Sequence, residues 1–250
     1  MKYLFLLCLA ISSSALYSQI VINNTVFPVI GDSLQTATNF NFSGTLSMGD
    51  KGGPHTWDFS VLNQGSKQTD YYVSPSQGKD VAAFPEATIL LASEGQEVYI
   101  KSTGSIMEGL GFGGANPFLD VPLVVKYSKR PALRFAPIEF INQTSSNGEF
   151  NIDLGTSIIP DTILASLPIK PDSIRIQFVN ASKGIIDAYG KLKLQGKTFD
   201  VLREKAESIT ETKVFAKLPF IGWFDVSSVI GGTVPGNLQS FLGQDTTVTY

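Results

Sequence analysis

The sequence contains a single cysteine and a single histidine among 250 residues. Cys8 lies in an apolar run near the N-terminus, and His55 follows the turn-like segment KGGP at 51–54. A nucleophile–base pair or a zinc site needs several such side chains at suitable spacing, and no Gly-x-Ser-x-Gly motif occurs either. We therefore predict no catalytic residue, no metal site and no cofactor, and we assign His55 a structural role as a surface or turn residue.

The sequence has few charged residues, and its net charge is slightly negative. Charged residues make up 16 % of the chain, and 19 basic against 22 acidic residues give a net charge of −3. The net charge becomes −4 if Lys2 is removed with a leader segment. Nucleic acids and anionic membranes recruit basic faces, so this balance argues against both as partners.

Long hydrophobic runs are also missing, apart from about eight residues at 4–11. A membrane-spanning helix needs roughly 20 apolar residues, so no transmembrane anchor is predicted. Lys2, the apolar run and a small, polar stretch at 12–19 follow the order of a secretory signal peptide. We predict a signal peptide at 1–19 and an exported mature region, 20–250, in the extracellular space, on the cell surface or in the periplasm. Removal of Cys8 with the leader would leave no disulfide.

Aromatic and β-branched residues occur in short runs between turn residues, which is typical of strands. The alternation of Ile174, Ile176 and Phe178 with polar neighbours predicts a half-buried strand. The segments 93–96 and 195–197 predict hairpin turns. The segment 207–217 fits a strand or a helix. Further strands are predicted at 20–22, 56–59, 70–73, 87–92, 97–101, 124–127, 132–135, 149–154, 185–194 and 198–205.

The pattern predicts an all-β fold, either an antiparallel β-sandwich or a strongly curved sheet, with at most one or two short helices. One short helix is expected at 160–167, and 222–239 is interpreted as loop with at most one helical turn. The chain forms either one two-sheet domain or two small β-domains divided near residue 150. The strand-like segment 245–250 fits a native terminal strand or a fragment of a longer chain.

The segment GLGFGG at 109–114 has the letters of a dinucleotide-binding motif. Such a site needs the glycine turn between a strand and a helix. Ala115, Asn116 and Pro117 follow instead, and no helical pattern comes after them. We therefore interpret 109–114 as a flexible glycine loop with no cofactor.

Acidic and aromatic side chains remain as candidates for ligand binding. Asp153, Asp187 and Asp200 lie in or beside predicted strands, and a carboxylate-dependent hydrolase would need two acids close together. Acids in such positions usually have local partners, however. The aromatic candidates for stacking on a ligand such as a sugar are ordinary core-forming residues as well: Trp57, Tyr72 and Trp223.

Two segments carry a resemblance to a known family. GGPHTWDFSVL at 52–62 and IIDAYGKLKLQGKTFDVLREK at 185–205 resemble the TWDFS and DxxGxLxLxGxFxVLRxK elements of a family of secreted Bacteroidota proteins. Members often carry a C-terminal sorting domain for type IX secretion. His55 stands where that family usually has an asparagine or glutamine, and no sorting domain is visible. The resemblance implies secretion and a β fold, and it assigns no activity.

Four tripeptides resemble the Asp-Ser/Thr-apolar acceptor of periplasmic O-glycosylation in such bacteria. The acceptor hydroxyls would belong to Ser33, Thr162, Ser173 and Thr246.

Taken together, these features predict an exported, non-catalytic β-protein that acts as a surface or extracellular interaction module. One alternative is a carbohydrate- or lipid-binding protein, and a second is a carboxylate-dependent hydrolase. The partner would then be a glycan, a lipid or another surface protein.

Overall fold

The structure, a computed structural model, describes residues 20–39, 42–62, 65–93, 95–116, 119–158, 169–230 and 243–250. The described residues are 65 % strand and 7 % helix, and no helix among them reaches seven residues, so the all-β prediction is confirmed. The predicted leader at 1–19, the predicted helix at 160–167 and the half of the predicted loop at 231–239 lie outside the described residues. The loop prediction was wrong for Gly222–Asp225, which form a strand that pairs with the preceding long strand, whereas Ser227–Ile230 form the one expected helical turn.

Strands follow one another with few interruptions along the described chain. They are β1 (Val21–Ile22), β2 (Ser33–Thr38), β3 (Gly52–Asp58), β4 (Ser66–Val73), β5 (Ile89–Ser93), β6 (Gln96–Ser102), β7 (Ile106–Asn116), β8 (Leu119–Lys129), β9 (Ala132–Phe135), β10 (Ile138–Glu139), β11 (Gln143–Gly155), β12 (Ser173–Leu194), β13 (Lys197–Leu218), β14 (Gly222–Asp225) and β15 (Gly243–Thr249). The short helices are four 3-10 turns, Asn24–Val26, Pro75–Gln77, Val81–Ala83 and Thr156–Ile158, and α1 (Ser227–Ile230).

Thirteen of these strands form one large sheet. Its order is β14-β13-β12-β11-β8-β7-β6-β5-β4-β2, with β15 beside β13, β3 beside β12 and β9 beside β7. The strands β1 and β10 form a separate pair. Sequence neighbours pair antiparallel, as predicted, whereas β3 runs parallel to β12.

The longest elements are β12 and β13, two strands of 22 residues that form one hairpin. The predicted turn at 195–197 is confirmed, and Gly196 adopts φ +75°, a backbone conformation that favours glycine. The segment 207–217 is strand. It belongs to β13, which pairs with β12 along one edge and, at residues 206–212, with β15 along the other edge. Tertiary pairing thus overrides the helix preference of its Glu and Lys residues.

The glycine segment 109–114 is not a loop, so that prediction was wrong. It lies within β7, which pairs with β6 and with β8. A side chain on Gly111 would overlap the Val125 carbonyl and the Phe84 ring, and one on Gly114 would overlap the Gly95 carbonyl. The glycines therefore allow close packing of neighbouring backbones, and they do not provide flexibility.

Three apolar core clusters of described residues lie along the sheet. One centres on Tyr72 and Met107, the second on Leu90 and Tyr99, and the third on Ile152 between β8 and β12. The buried Tyr99 hydroxyl donates to the Glu97 carboxylate at 2.6 Å. Burial is the main cause that raises the pKa of Tyr99, and the hydrogen bond to Glu97 raises it further.

Candidate functional site

The fold brings together the two segments that carry the family resemblance. Strand β3 lies parallel to the second half of β12, with Trp57 opposite Leu192. This contact is close: a side chain on Gly190 would overlap the His55 backbone, and one on Gly53 would overlap the Tyr189 carbonyl. We call this region the motif junction. Its glycines are needed because backbones from distant parts of the chain touch there.

A buried ion pair lies at the centre of the motif junction. The register between β12 and β13 shifts between Ile186 and Ala188, which leaves Asp187 as an extra residue in a bulge. Its Oδ1 accepts a hydrogen bond from Arg203 Nε at 2.8 Å, and the two side chains are only 3 % and 6 % exposed. The bulge therefore turns an acid inward to meet the arginine.

The remaining guanidinium donors of Arg203 hold the chain that precedes β3. Nη1 donates to the carbonyls of Met48 and Gly49, and Nη2 donates to the Asp50 carbonyl at 3.2 Å. The Trp57 indole donates to the same Met48 carbonyl at 2.8 Å. Because four of its five N–H donors bond within the protein and its side chain is 6 % exposed, Arg203 fixes the 48–50 segment and is poorly placed to bind an external anion.

A cleft of about 360 Å³ opens beside the motif junction. Its walls are mostly apolar, with Trp57, Phe59 and Leu192 from one side and Tyr250 from the other. The Arg203 guanidinium lies 5.8 Å from the Trp57 ring centroid and 5.6 Å from that of Tyr250. These cation–π contacts join the C-terminal residue to the junction.

His55 lies within strand β3, so the prediction of a turn position was wrong. Its ring is 5.3 Å from that of Trp57, and its buried Nε2 has no hydrogen-bond partner among the described residues. Strand structure begins at Gly52 because β3 finds a partner in β12. The residues at 51–54 are typical of a turn, but pairing with β12 holds 52–54 in an extended strand.

The three acids singled out in the sequence each pair with a different base. Asp153 accepts from Arg175 Nε at 2.6 Å and from Nη2 at 2.7 Å. This hydrogen bonding by Arg175 lowers the pKa of Asp153 below its usual value. Asp200 pairs with Lys191 at 2.8 Å, and Asp187 pairs with Arg203.

Each of the three acids thus has its own basic partner, and no two of their carboxylates form a pair with each other. Among the described residues there is also no group of three His, Cys, Asp or Glu side chains that could hold a metal ion.

The three aromatic candidates differ in exposure. Tyr72 belongs to a core cluster, and Trp57 is 6 % exposed although it lines the cleft beside the motif junction, so little of either ring is open to a ligand. Trp223 is half-buried in β14, and the Arg175 guanidinium lies 4.3 Å from its ring centroid. Of the three, Trp223 alone remains near the surface.

Phe220, the most exposed large apolar residue among the described residues, lies in the connection between β13 and β14. Phe220 is fully exposed, and Ile221 and Phe224 are 65 % and 54 % exposed. Ile169, which precedes β12 at the same end of the hairpin, is 49 % exposed. We call Ile169, Phe220, Ile221 and Phe224 the apolar tip.

The sequence interpretation missed this tip. The signal was present in Pro219-Phe220-Ile221-Gly222, an apolar pair placed inside a turn, where polar residues are usual. Phe220 has φ +63°, the left-handed conformation in which large side chains are rare.

Charged groups surround the apolar tip. Lys170 and Lys217 are exposed, and within the described residues neither is within 4 Å of a carboxylate. Asp225 accepts hydrogen bonds from the Ser227 hydroxyl at 2.6 Å and from its backbone amide at 2.9 Å. The Ser227 side chain is the main cause that lowers the pKa of Asp225.

The predicted glycan acceptors have different surroundings. Ser33 is exposed in β2, and Thr246 is exposed in β15. Ser173 is half-buried at the start of β12, opposite Lys217. Thr162 lies outside the described residues.

No helix in the described parts of the chain is long and apolar enough to span a membrane. Comparison with protein-family models, with curated proteins and with solved structures found no match.

Proposed function

We propose that this chain is an exported, non-catalytic interaction module that contacts its partner through the apolar tip. The observation that carries the proposal is the exposure of Phe220 and Ile221 in the connection between β13 and β14, and of Phe224 in the adjoining strand β14. Isolated exposed apolar residues are normal, but large apolar side chains clustered at one end of a hairpin mark an interaction site. Aromatic residues are also enriched where proteins bind partners.

The rest of the molecule supports a binding role over a catalytic one. Asp153, Asp187 and Asp200 are each neutralised by a neighbouring base. A general acid or base needs a carboxylate free to exchange a proton with a substrate. The N-terminal pattern of Lys2 followed by an apolar run supports export.

Membership of the secreted Bacteroidota family is part of the same proposal. Its support is that both resembling segments meet in the motif junction, where Trp57, Asp187 and Arg203 each have a structural role. Residues that hold a fold together are the ones expected to recur in relatives with different partners.

Retention on the envelope of the native host tests the proposed function. The triple variant F220S/I221S/F224S should lose most of its cell-associated fraction while remaining folded by circular dichroism. A matched control, V29S/I30S/V61S, replaces three exposed apolar residues elsewhere and should bind as the unaltered protein does. Equal loss in both variants, or in neither, would rule out the tip as the contact surface.

A second candidate function, carbohydrate binding, rests on Trp223. Its ring is held by Arg175, which is itself fixed by two hydrogen bonds to Asp153. A ring with a fixed orientation suits stacking against the apolar face of a sugar. Glycan-array binding that W223A abolishes would support this function, and an empty array would remove it.

We also propose O-linked glycans at Ser33, Thr162, Ser173 and Thr246 in the native host. Ser33 and Thr246 are in strands for which the described residues provide a partner on one side only. A glycan there would shield an open sheet edge from pairing with other chains. Intact-mass measurement of native protein that shows no added sugar would exclude the modification.

A further inference from the structure

We infer that one edge of β13 binds an extended segment of a partner protein, which adds a strand to the sheet. The edge consists of residues 197–205, and we call it the open edge. It lies at the opposite end of the β12–β13 hairpin from the apolar tip, so the inference concerns a second surface and goes beyond the proposed function. Its support comes from the unpaired backbone of this edge, from the cleft beside it and from the charges along it.

The backbone of the open edge has a strand partner on one side only. Residues 197–205 pair with β12 over their whole length. On the other side, β15 ends at Thr249, opposite Ala206, and β14 pairs still further along, at 215–218. No described strand continues along 197–205, and no backbone hydrogen bond from a described turn or loop reaches these residues. The outward N–H and C=O groups of this stretch are therefore a template for another strand.

The cleft beside the motif junction reaches the open edge. Its lining includes the consecutive residues 201–204, whose side chains alternate between the two faces of β13, and Tyr250 at the end of β15. A cleft that is lined from both faces of a strand extends to the edge of that strand. In strand addition, main-chain hydrogen bonds supply affinity and pockets of this kind select the side chains of the added strand.

Apolar side chains line the sheet beside the open edge. Trp57, Leu192 and Phe199 lie opposite one another in register and therefore share one face of the sheet. Val201 follows Phe199 at the next alternate position and lies on the same face. Phe199 is 45 % exposed, and an added strand would cover it. The occupant is therefore a segment with apolar side chains at alternate positions.

Charges of both signs are interspersed along the open edge. Asp200 is paired with Lys191, and Arg203 is paired with Asp187. Glu204 accepts a hydrogen bond from the Thr144 hydroxyl at 2.5 Å. The edge therefore selects neither an acidic nor a basic segment, and apolar contacts determine what it binds.

Lysines at the two ends of the open edge oppose pairing between two copies of the chain. Two open edges that overlap fully in antiparallel register place Lys197 of each copy opposite Lys205 of the other, with Val201 at the centre. Parallel overlap in register places every charged residue beside its own equivalent. Like charges directly opposite one another destabilise a strand pair. The occupant is therefore a segment of another protein and not a second copy of this chain.

Peptide binding to the whole protein, measured by fluorescence anisotropy, tests the inference. The probe is a capped, dye-labelled heptapeptide in which threonine alternates with two valines and a central leucine. The same peptide with a central alanine measures the contribution of the cleft. The leucine peptide should bind at least about tenfold more tightly, because the cleft removes its larger apolar surface from water. Y250A, which removes one wall of the cleft, should reduce this preference.

Two variants place a charge where the apolar side chains of the added strand would lie. F199K and V201K should each weaken binding of the leucine peptide by at least about tenfold. Phe199 is partly exposed, so F199K should keep the fold, as checked by circular dichroism. The matched control is L34K in β2, because Leu34 is 41 % exposed and β2 also has a described partner on one side only. L34K and F220S/I221S/F224S should bind the peptide as the unaltered protein does.

Hydrogen exchange locates the bound peptide. The amides of 197–205 should exchange more slowly when the leucine peptide is bound, because the added strand accepts their outward hydrogen bonds. The amides of β2 at 33–38 should exchange at an unchanged rate.

The outcomes separate this inference from the proposed function. Binding that F199K or V201K weakens, together with slower exchange at 197–205, supports the inference. Failure of both peptides to bind, or an equal loss in L34K and F199K, overturns it. Slower exchange at 197–205 in a dimer of the protein alone also overturns it and assigns the edge to a second copy. Loss of peptide binding in F220S/I221S/F224S overturns it by placing the peptide at the apolar tip. Envelope retention is measured separately, so failure of the inference leaves the proposed function standing.

Discussion

The long strands β11, β12 and β13 contain two aspartate–arginine pairs that differ in their surroundings, one between β12 and β13 and the other between β11 and β12. At the motif junction, Asp187 and Arg203 are almost fully buried, and the arginine also binds three backbone carbonyls. At the other end of the hairpin, the Asp153 and Arg175 side chains are 52 % and 29 % exposed. The second pair has the better two-pronged geometry, with hydrogen bonds of 2.6 and 2.7 Å.

The comparison shows that burial, more than geometry, determines how much a pair matters to stability. Loss of one partner from a buried pair leaves an uncompensated charge away from water. Loss of one partner from an exposed pair lets water solvate the other. The junction pair therefore holds distant segments together, whereas the exposed pair shapes the surface beside Trp223.

The largest expected effect comes from Arg203→Ala. It leaves Asp187 buried and unpaired and frees the 48–50 segment, so the free energy of unfolding should fall by about 3–5 kcal/mol. Arg175→Ala should cost less than about 1 kcal/mol in the same denaturant titration. Equal losses would contradict the comparison. The apolar double variant D187L/R203M should recover part of the loss, because no charge then remains buried.

A smaller loss is expected for Gly190→Ala at the motif junction. The added methyl group would overlap the His55 backbone, and overpacking of this kind costs about 1–3 kcal/mol. Gly196→Ala is the matched control at the hairpin turn, where no atom lies within 4 Å of the added group. Its cost should be limited to the strain of the left-handed backbone, about 1 kcal/mol. A junction that tolerates G190A without loss of thermal stability would show that β3 is not tightly docked.

A gain in stability is expected for Phe220→Gly at the exposed end of the hairpin. Glycine relieves the left-handed strain at φ +63°, so the free energy of unfolding should rise by about 0.5–1 kcal/mol. The same change should weaken retention on the envelope of the native host. A variant that is more stable and binds less would indicate that this end of the molecule is built for contact at a cost in stability.

The smallest effect concerns pH and the exposed pair. The pKa of Asp153 is lowered in the folded protein, so its contribution is present above the unfolded pKa of about 3.9 and is lost as the pH falls through the folded value. Asp153→Asn should reduce stability at neutral pH by about 0.2–0.5 kcal/mol, and the difference should vanish near pH 2. A difference that persists in acid would mean that the carboxylate acts through packing and not through its charge.

Local features of the fold could be predicted from the sequence. The turn at 195–197 and the alternation of Ile174, Ile176 and Phe178 depend on residues that are close in the chain. Both predictions are confirmed: Ile174, Ile176 and Phe178 lie in β12, and residues 195–196 form the turn between β12 and β13.

Features that depend on distant contacts could not be predicted. The hydrogen bond from Arg203 to Met48 joins residues 155 positions apart, and nothing near either residue indicates the other. The segment 109–114 was misinterpreted for the same reason, since its glycines accommodate Phe84 and Val125 from other elements. For the candidate site, composition identified Trp223 but not the exposed turn beside it.

The parallel pairing of β3 with β12 also has a consequence for the order in which the chain can fold. Strand β3 is among the first segments to emerge, but its partner residues 188–193 come more than 130 positions later. Until they arrive, residues 52–58 have no neighbour with which to complete the sheet, and closing so long a loop is entropically slow. A chain that crosses a membrane in extended form would thus keep its N-terminal part unfolded until most of its length has passed.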